Sequence, residues 1–167
     1  MMLLLCTASS GENRKLMLQL AAIAESEGMK VETVDLTVNP LPLYTPDRDE
    51  AGPPAGVNVL EKQFARASAM VFCAPEYNGS IPPTLSNAIA WLSTSSDDFR
   101  SLFNGRPVAI ASHSGGGGQK VLVAMRLQLS HLGANVLGRE LLTRKNKPLN
   151  EASARSVLGQ LKLAIGS

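Results

Sequence analysis

The sequence predicts an α/β domain: a doubly wound, five-stranded parallel sheet in the order 2-1-3-4-5, with helices on both faces. Three observations lead there. Short, near-continuous apolar runs alternate with amphipathic helical patterns, as strands buried on both faces require. No repeat, low-complexity tract or linker divides the 167 residues, which suits one domain over 1–167. Right-handed crossovers leave few topologies for five such units, and this order is the commonest.

The first strand is the apolar run MLLLC at residues 2–6, which stops at Thr-Ala-Ser-Ser-Gly. From Asn13, the positions Leu16, Leu20, Ile23 and Ala24 recur at helical spacing until Gly28, a residue free to take the positive φ of a helix C-terminus. Residues 30–36 (KVETVDL) alternate as strand two. Residues 39–56 are proline-rich and carry a charged DRDE; they read as one loop, longer than most connections in a compact domain and for that reason of functional interest. A helix follows over 57–67, then a third apolar run, AMVFCA, at 69–74. Pro82 and Pro83 fit a first helical turn, where a missing N–H costs nothing, and Leu85, Ile89 and Leu92 form the stripe of a helix ending near Thr94. Strand four is PVAIAS at 107–112, followed by HSGGGG and a helix over 119–132 that Gly133 closes. Residues 135–142 read as a single fifth strand and 151–165 as the last helix.

Sixteen basic and fourteen acidic residues leave a net charge of +2, too little to call for nucleic acid or a membrane surface. Cys6 and Cys73 lie in apolar runs with no metal-binding spacing and read as buried, reduced core residues. The amino-terminal MMLLLCTAS has no basic leader and only a short apolar run, so a cytoplasmic location is expected.

In an open sheet of this order, ligands bind beyond the carboxyl ends of the strands where the order reverses. Three polar or glycine-rich loops follow those ends. Ser9, Ser10, Gly11 and Asn13 open the first helix and can offer donors to a phosphate, although an ordinary helix-capping turn has the same composition. The loop has neither a Walker A lysine nor a GxGxxG pattern. Residues 76–81 follow strand three, and Ser112 with Gly115, Gly116 and Gly117 follow strand four. Four successive glycines let backbone N–H groups approach a flat or charged ligand.

The stretch PEYNGSIPPTLSNAIAWLS at 75–93 follows the pattern PEYN-x-x-x-P-x-x-L-x-N-A-x-x-W. With it stand LPLYTPD at 41–47, Asn13-Arg14-Lys15-Leu16, and AMRLQLSHLGANVL after the glycines. On these residues the chain resembles, over nearly its whole length, the NADPH-dependent FMN reductase family of flavodoxin-like proteins, which includes azo, quinone and chromate reductases. The first loop is shorter than is usual there and lacks an arginine before Asn13; Ser86 and Ala90 stand where lysine and aspartate are usual.

The resemblance implies FMN with its phosphate on Ser9, Ser10, Gly11 and Asn13, and its ribityl chain near Pro75 and Asn78. The ring edge would lie along Glu76, Tyr77, Asn78, Gly79 and Ser80, with Ser112, Gly115, Gly116 and Gly117 over the pyrimidine side. It implies an NADPH or NADH donor, a quinone, azo, flavin or metal acceptor served by a ping-pong course, and a homodimer or homotetramer. No side chain is assigned to proton transfer, because hydride transfer to a flavin needs stacking and orientation. Glu76 reads as scaffold, His113 as a satisfied structural histidine, His131 as solvent-facing, and Trp91 as packing. A flavodoxin-like electron carrier is the competing expectation, against which the small positive charge speaks, since such carriers are strongly acidic.

Overall fold

The computed structural model describes residues 2–166. The apolar runs form the sheet: β1 (Met2–Thr7), β2 (Lys30–Asp35), β3 (Ala69–Cys73) and β4 (Pro107–His113) pair in parallel in the order β2-β1-β3-β4. β5 (Asn135–Val136) lies outside β4 and completes the expected order. The helices are α1 (Glu12–Ser26), α2 (Pro46–Glu50), α3 (Ala55–Arg66), α4 (Pro83–Leu92), α5 (Gln119–His131) and α6 (Glu151–Ile165).

Successive strand residues project to opposite faces, so each central strand feeds two cores. Leu4, Cys6, Met70, Phe72, Val108 and Ile110 pack with side chains of α3, α4 and α5 on one face. Leu3, Leu5, Val71, Cys73, Ala109 and Ala111 pack with α1 and α6 on the other. Cys6 and Cys73 thus point to opposite sides of the sheet; both are free and buried, and burial pushes both thiols up.

Two expectations need correction. Residues 135–142 do not form one strand: β5 pairs with Pro107 and Val108, whereas a separate strand, β6 (Leu141–Thr143), pairs with Ala111, Ser112 and His113. Four residues, 137–140, therefore stand opposite two of β4, and the chain loops outward between the two pairings. Arg126 of α5 holds that excursion. Its guanidinium donates to the carbonyls of Val136, Leu137 and Gly138 and pairs with Glu140 at 2.8 Å. The second correction lies in residues 39–56, read as loop throughout, where α2 forms one and a half turns. Thr45 caps it by accepting from the Arg48 N–H, and Pro46 opens the first turn with Asp47 and Asp49 beside it, which suits the positive end of the helix dipole.

Arg126→Met keeps the aliphatic stem and removes the donors. Leaving carbonyls of a half-buried excursion unpaired costs about 1–3 kcal/mol each where water cannot reach, so a loss of about 2–4 kcal/mol in urea-induced unfolding is expected. A wild-type midpoint would mean that solvent satisfies these carbonyls unaided. Among the described residues, no helix is long and apolar enough to cross a membrane.

Candidate functional site

Because β1, β3 and β4 run parallel, the loops that leave them emerge at one edge, and side chains and backbone tie these loops together. The Ala8 N–H donates to the Cys73 carbonyl and the Ala74 N–H to the Ala111 carbonyl, so pairing continues past the strand ends. Thr84, in the first turn of α4, donates its hydroxyl to the Ala8 carbonyl at 2.8 Å.

Asn13 makes the longest tie. Its side chain is buried, its Nδ2 donates to the His113 carbonyl at 2.9 Å, and its Oδ1 accepts from the His113 N–H at 2.7 Å. The Asn13 amide is therefore spent on the end of β4, which leaves only the Asn13 backbone free to meet an anion at the first loop. The remaining donors are also backbone. Among the described residues, the N–H groups of Ser10, Gly11, Glu12 and Asn13 have no acceptor, and no side chain caps α1 at Gly11. Such a nest of N–H groups favours an anion. The Glu12 carboxylate opposes it only in part, since it pairs with Lys15 at 2.6 Å, which also holds its carboxyl below the usual range.

The second loop is a tight hairpin. Tyr77 and Ser80 exchange N–H···O bonds of 3.1 and 3.0 Å, and the central pair, Asn78 and Gly79, have φ of 51° and 75°, the two positive values that an Asn-Gly type I′ turn requires. The N–H groups of Tyr77 and Ser80 are consumed by the turn; those of Glu76, Asn78 and Gly79 find no acceptor among the described residues. Glu76 turns its carboxylate to α5, where Oε2 accepts from the Lys120 N–H at 3.1 Å and the Val121 N–H at 3.4 Å. It caps that helix and fastens the turn to the glycine loop. Pro75 is buried behind it. An open cleft of about 450 Å³ lies against this turn, bounded by Glu76, Tyr77, Asn78, Ile81 and Pro83.

In the third loop, Ser112 is wholly buried, with its Oγ unpartnered, so no part of this residue is exposed at the edge. Ser114 Oγ accepts from the Gly116 N–H, and Arg144 donates to the Gly117 carbonyl at 2.8 Å. Gly115, Gly116 and Gly117 are exposed, and a Cβ on any of them would meet no atom closer than 4.0 Å. Gly118 differs: with φ of 75°, its Cβ would lie 2.5 Å from Leu142 Cδ1 and 3.0 Å from Ser114 Cβ. Three of the four glycines therefore leave the edge open, and the fourth lets the chain enter α5.

His113 is half-buried, with Nδ1 3.0 Å from Thr143 Oγ1, and His131 is exposed. Trp91 is fully buried in α4 and donates Nε1–H to the Pro42 carbonyl at 2.7 Å; one turn earlier, Asn87 accepts from the Tyr44 N–H and donates to the carbonyls of Leu41 and Pro42. The Asn and Trp of the hallmark pin the LPLY segment rather than lining the edge. Composition gave no sign of this, nor of Thr84, Arg144 or Gly118 as site-shaping residues, because each acts on a distant partner. A separate cleft of about 460 Å³ beside β2, walled by Leu18, Val38 and Val59, includes none of the three loops' expected ligand residues.

The architecture recurs in solved structures. A flavoenzyme NAD(P)H:(acceptor) oxidoreductase from Paracoccus denitrificans superposes with a TM-score of 0.75 at 23% identity, over 99% of this chain and 95% of that one. A flavodoxin from the domain Archaea gives 0.71 at 10% identity, with both chains covered in full. Sequence relatives are nearer. An NAD(P)H-dependent FMN reductase of Pseudomonas aeruginosa is 36% identical over 64% of this chain and 55% of its own length. A quinone reductase of Escherichia coli strain K12 is 37% identical over 66% of this chain and 62% of its own. The chain spans less than two thirds of either relative. The family model for NADPH-dependent FMN reductases aligns with residues 1–147, which takes in all three loops, the Asn-Gly turn and the glycine run, and by that match the chain belongs to the NADPH-dependent FMN reductase family.

Proposed function

We propose that residues 1–167 form a single FMN-binding domain that oxidises NADPH or NADH and passes the electrons to a quinone, azo, flavin or metal acceptor. One observation carries the reading: two sets of acceptor-free backbone N–H groups, at 10–13 and along the glycine loop, flank a rigid Asn-Gly turn on one sheet edge. Their chemistry fits FMN. The first set, at the positive end of α1, suits a phosphate ester. The N–H groups of Gly115, Gly117 and Gly118, also without acceptors among the described residues, suit the electron-rich pyrimidine edge of a flavin.

In this reading Ser9, Ser10, Gly11 and the Asn13 backbone hold the phosphate. Pro75 and Asn78 border the ribityl chain, and the segment from Glu76 to Ser80 supports the ring edge. Gly115 to Gly117 close the pyrimidine side, with the wholly buried Ser112 behind them. Bound FMN would supply the two-electron redox chemistry; the chain holds the ring in one plane and leaves a face for the donor and then the acceptor, a ping-pong course. Exposed Val123 and Leu127 on α5 and Val59 on α3 favour a homodimer or homotetramer, and two free cysteines suit the cytoplasm.

The test is a visible spectrum of the purified protein with added FMN, followed by NADPH under anaerobic conditions. A flavin band that co-purifies and bleaches is expected. Failure to hold FMN refutes the reading, and bound FMN that neither NADPH nor NADH bleaches leaves an electron carrier.

A further inference from the structure

The cleft of about 460 Å³ beside β2 is built by elements that the flavin edge does not use. α1 contributes Leu18, the segment leaving β2 contributes Val38 and Leu41, and α3 contributes Val59 and Leu60. Leu18, Val38 and Val59 come from three separate elements and remain 46%, 61% and 59% exposed. Isolated apolar side chains at a surface need no explanation, but several lining one concave site of this size mark a place for a ligand. The walls are also fixed before anything binds. Asn87 of α4 donates to the Leu41 and Pro42 carbonyls, and the N–H and hydroxyl of Thr37 both donate to Asp35 Oδ1, at 2.9 and 2.6 Å. The segment after β2 is thus held at both ends, and an occupant need not order it.

Arg14 and Asp35 are the two charged residues lining the cleft among the described residues. They form an ion pair, with Arg14 Nε 3.1 Å from Asp35 Oδ2; the Asp35 side chain is nearly buried, whereas that of Arg14 is half exposed. Neither Nη of Arg14 has a partner among the described residues. Asp35 therefore orients the guanidinium and cancels its net charge, while two N–H-bearing nitrogens stay free for a ligand. Directed donors without net charge suit a monoanion that takes a bidentate pair of bonds; a dianion would need the positive field that Asp35 removes. The apolar lining includes no aromatic ring, so it suits an alkyl chain rather than a stacked flat ring.

We propose that this cleft is a second ligand site, which binds a medium-chain aliphatic monocarboxylate with its chain against Leu18, Val59 and Leu60 and its carboxylate on the free Nη groups of Arg14. The site does not depend on the oxidoreductase reading, because it needs neither flavin nor nicotinamide. The N–H groups at 10–13 also favour an anion, but they lie outside the cleft lining and offer no apolar wall to an alkyl chain. Chain length therefore separates the two sites.

The test is calorimetric titration of the purified protein, with and without FMN, using butanoate, hexanoate, octanoate and octan-1-ol. Affinity is expected to rise about tenfold for each two methylenes added to the acid, and octan-1-ol, with the same chain and no carboxylate, binds about tenfold more weakly than octanoate. Arg14→Met keeps the aliphatic stem and removes the fork, so octanoate falls to the level of octan-1-ol. Val59→Glu leaves the Arg14–Asp35 pair intact and places a carboxylate among the walls, which abolishes octanoate binding. Equal affinity for acid and alcohol, no dependence on chain length, or wild-type octanoate binding by either variant overturns the proposal. Displacement of octanoate by FMN or by inorganic phosphate assigns the acid to the N–H groups at 10–13 and overturns it too. If octanoate does not bind and Val59→Glu turns an oligomer into monomers in light scattering, the cleft belongs to a second copy of the chain, and the proposal falls.

Discussion

Asn13→Leu is expected to lower the unfolding free energy by about 2–5 kcal/mol and to weaken FMN binding at the same time. The Asn13 amide lies in a buried position and makes two bonds to one residue, accepting from the His113 N–H and donating to the His113 carbonyl. Leucine has nearly the same shape and neither function, so a buried donor and a buried acceptor at the end of β4 lose their partners, at about 1–3 kcal/mol each. Asn13→Asp separates the two bonds. Its carboxylate still accepts from the N–H but now faces the His113 carbonyl without a proton to give, so a smaller loss of about 1–3 kcal/mol is expected near neutral pH. Urea unfolding measures both, with the order wild type, Asp, Leu. If Leu and Asp unfold together at the wild-type midpoint, the clamp carries no stability and the first and third loops are positioned by something else.

The same residue shows where sequence reading stops. Asn13 opens a helix beside serines and a glycine, and local chemistry assigns its amide to a phosphate; its actual partner lies 100 positions away, where no local pattern reaches. The periodic elements were legible for the opposite reason. The last helix runs over Glu151–Ile165 as its apolar spacing requires, and Gly28 and Gly133 take the positive φ that ends α1 and α5, since each of these signals is contained in a few neighbouring residues. The Asn-Gly turn belongs to the same class. α2 was within reach, because Thr45-Pro46-Asp47 is a helix-start signature, but the surrounding prolines masked a helix this short. The broken fifth strand was not. What fixes it is Arg126 reaching from another element. Glu76 lay in between: a charged residue in a turn reads as scaffold from its neighbours, but only the fold shows that it caps α5.

Gly118→Ala and Gly115→Ala are expected to part company, although the two positions are indistinguishable in a run of four glycines. At Gly118 the φ of 75° puts an alanine in the left-handed region, which costs about 1–2 kcal/mol. The new Cβ would also stand 2.5 Å from Leu142 Cδ1 and 3.0 Å from Ser114 Cβ; the leucine can rotate away, but the serine Cβ moves only with its backbone, adding about 1–3 kcal/mol of overpacking. A loss of about 2–5 kcal/mol follows, measurable on the protein without flavin. At Gly115 no atom lies within 4 Å of the added Cβ and φ is not positive, so stability should hold or rise by about 0.4–1 kcal/mol as the unfolded chain loses freedom. If the glycine loop closes on a flavin, however, that methyl stands between backbone and ring, and Gly115→Ala binds FMN more weakly by about tenfold while unfolding no sooner than wild type. Fluorescence quenching of FMN gives the affinity and urea unfolding the stability. Unchanged FMN affinity in Gly115→Ala would remove the glycine loop from the binding site and leave the four glycines with a single structural use, at Gly118.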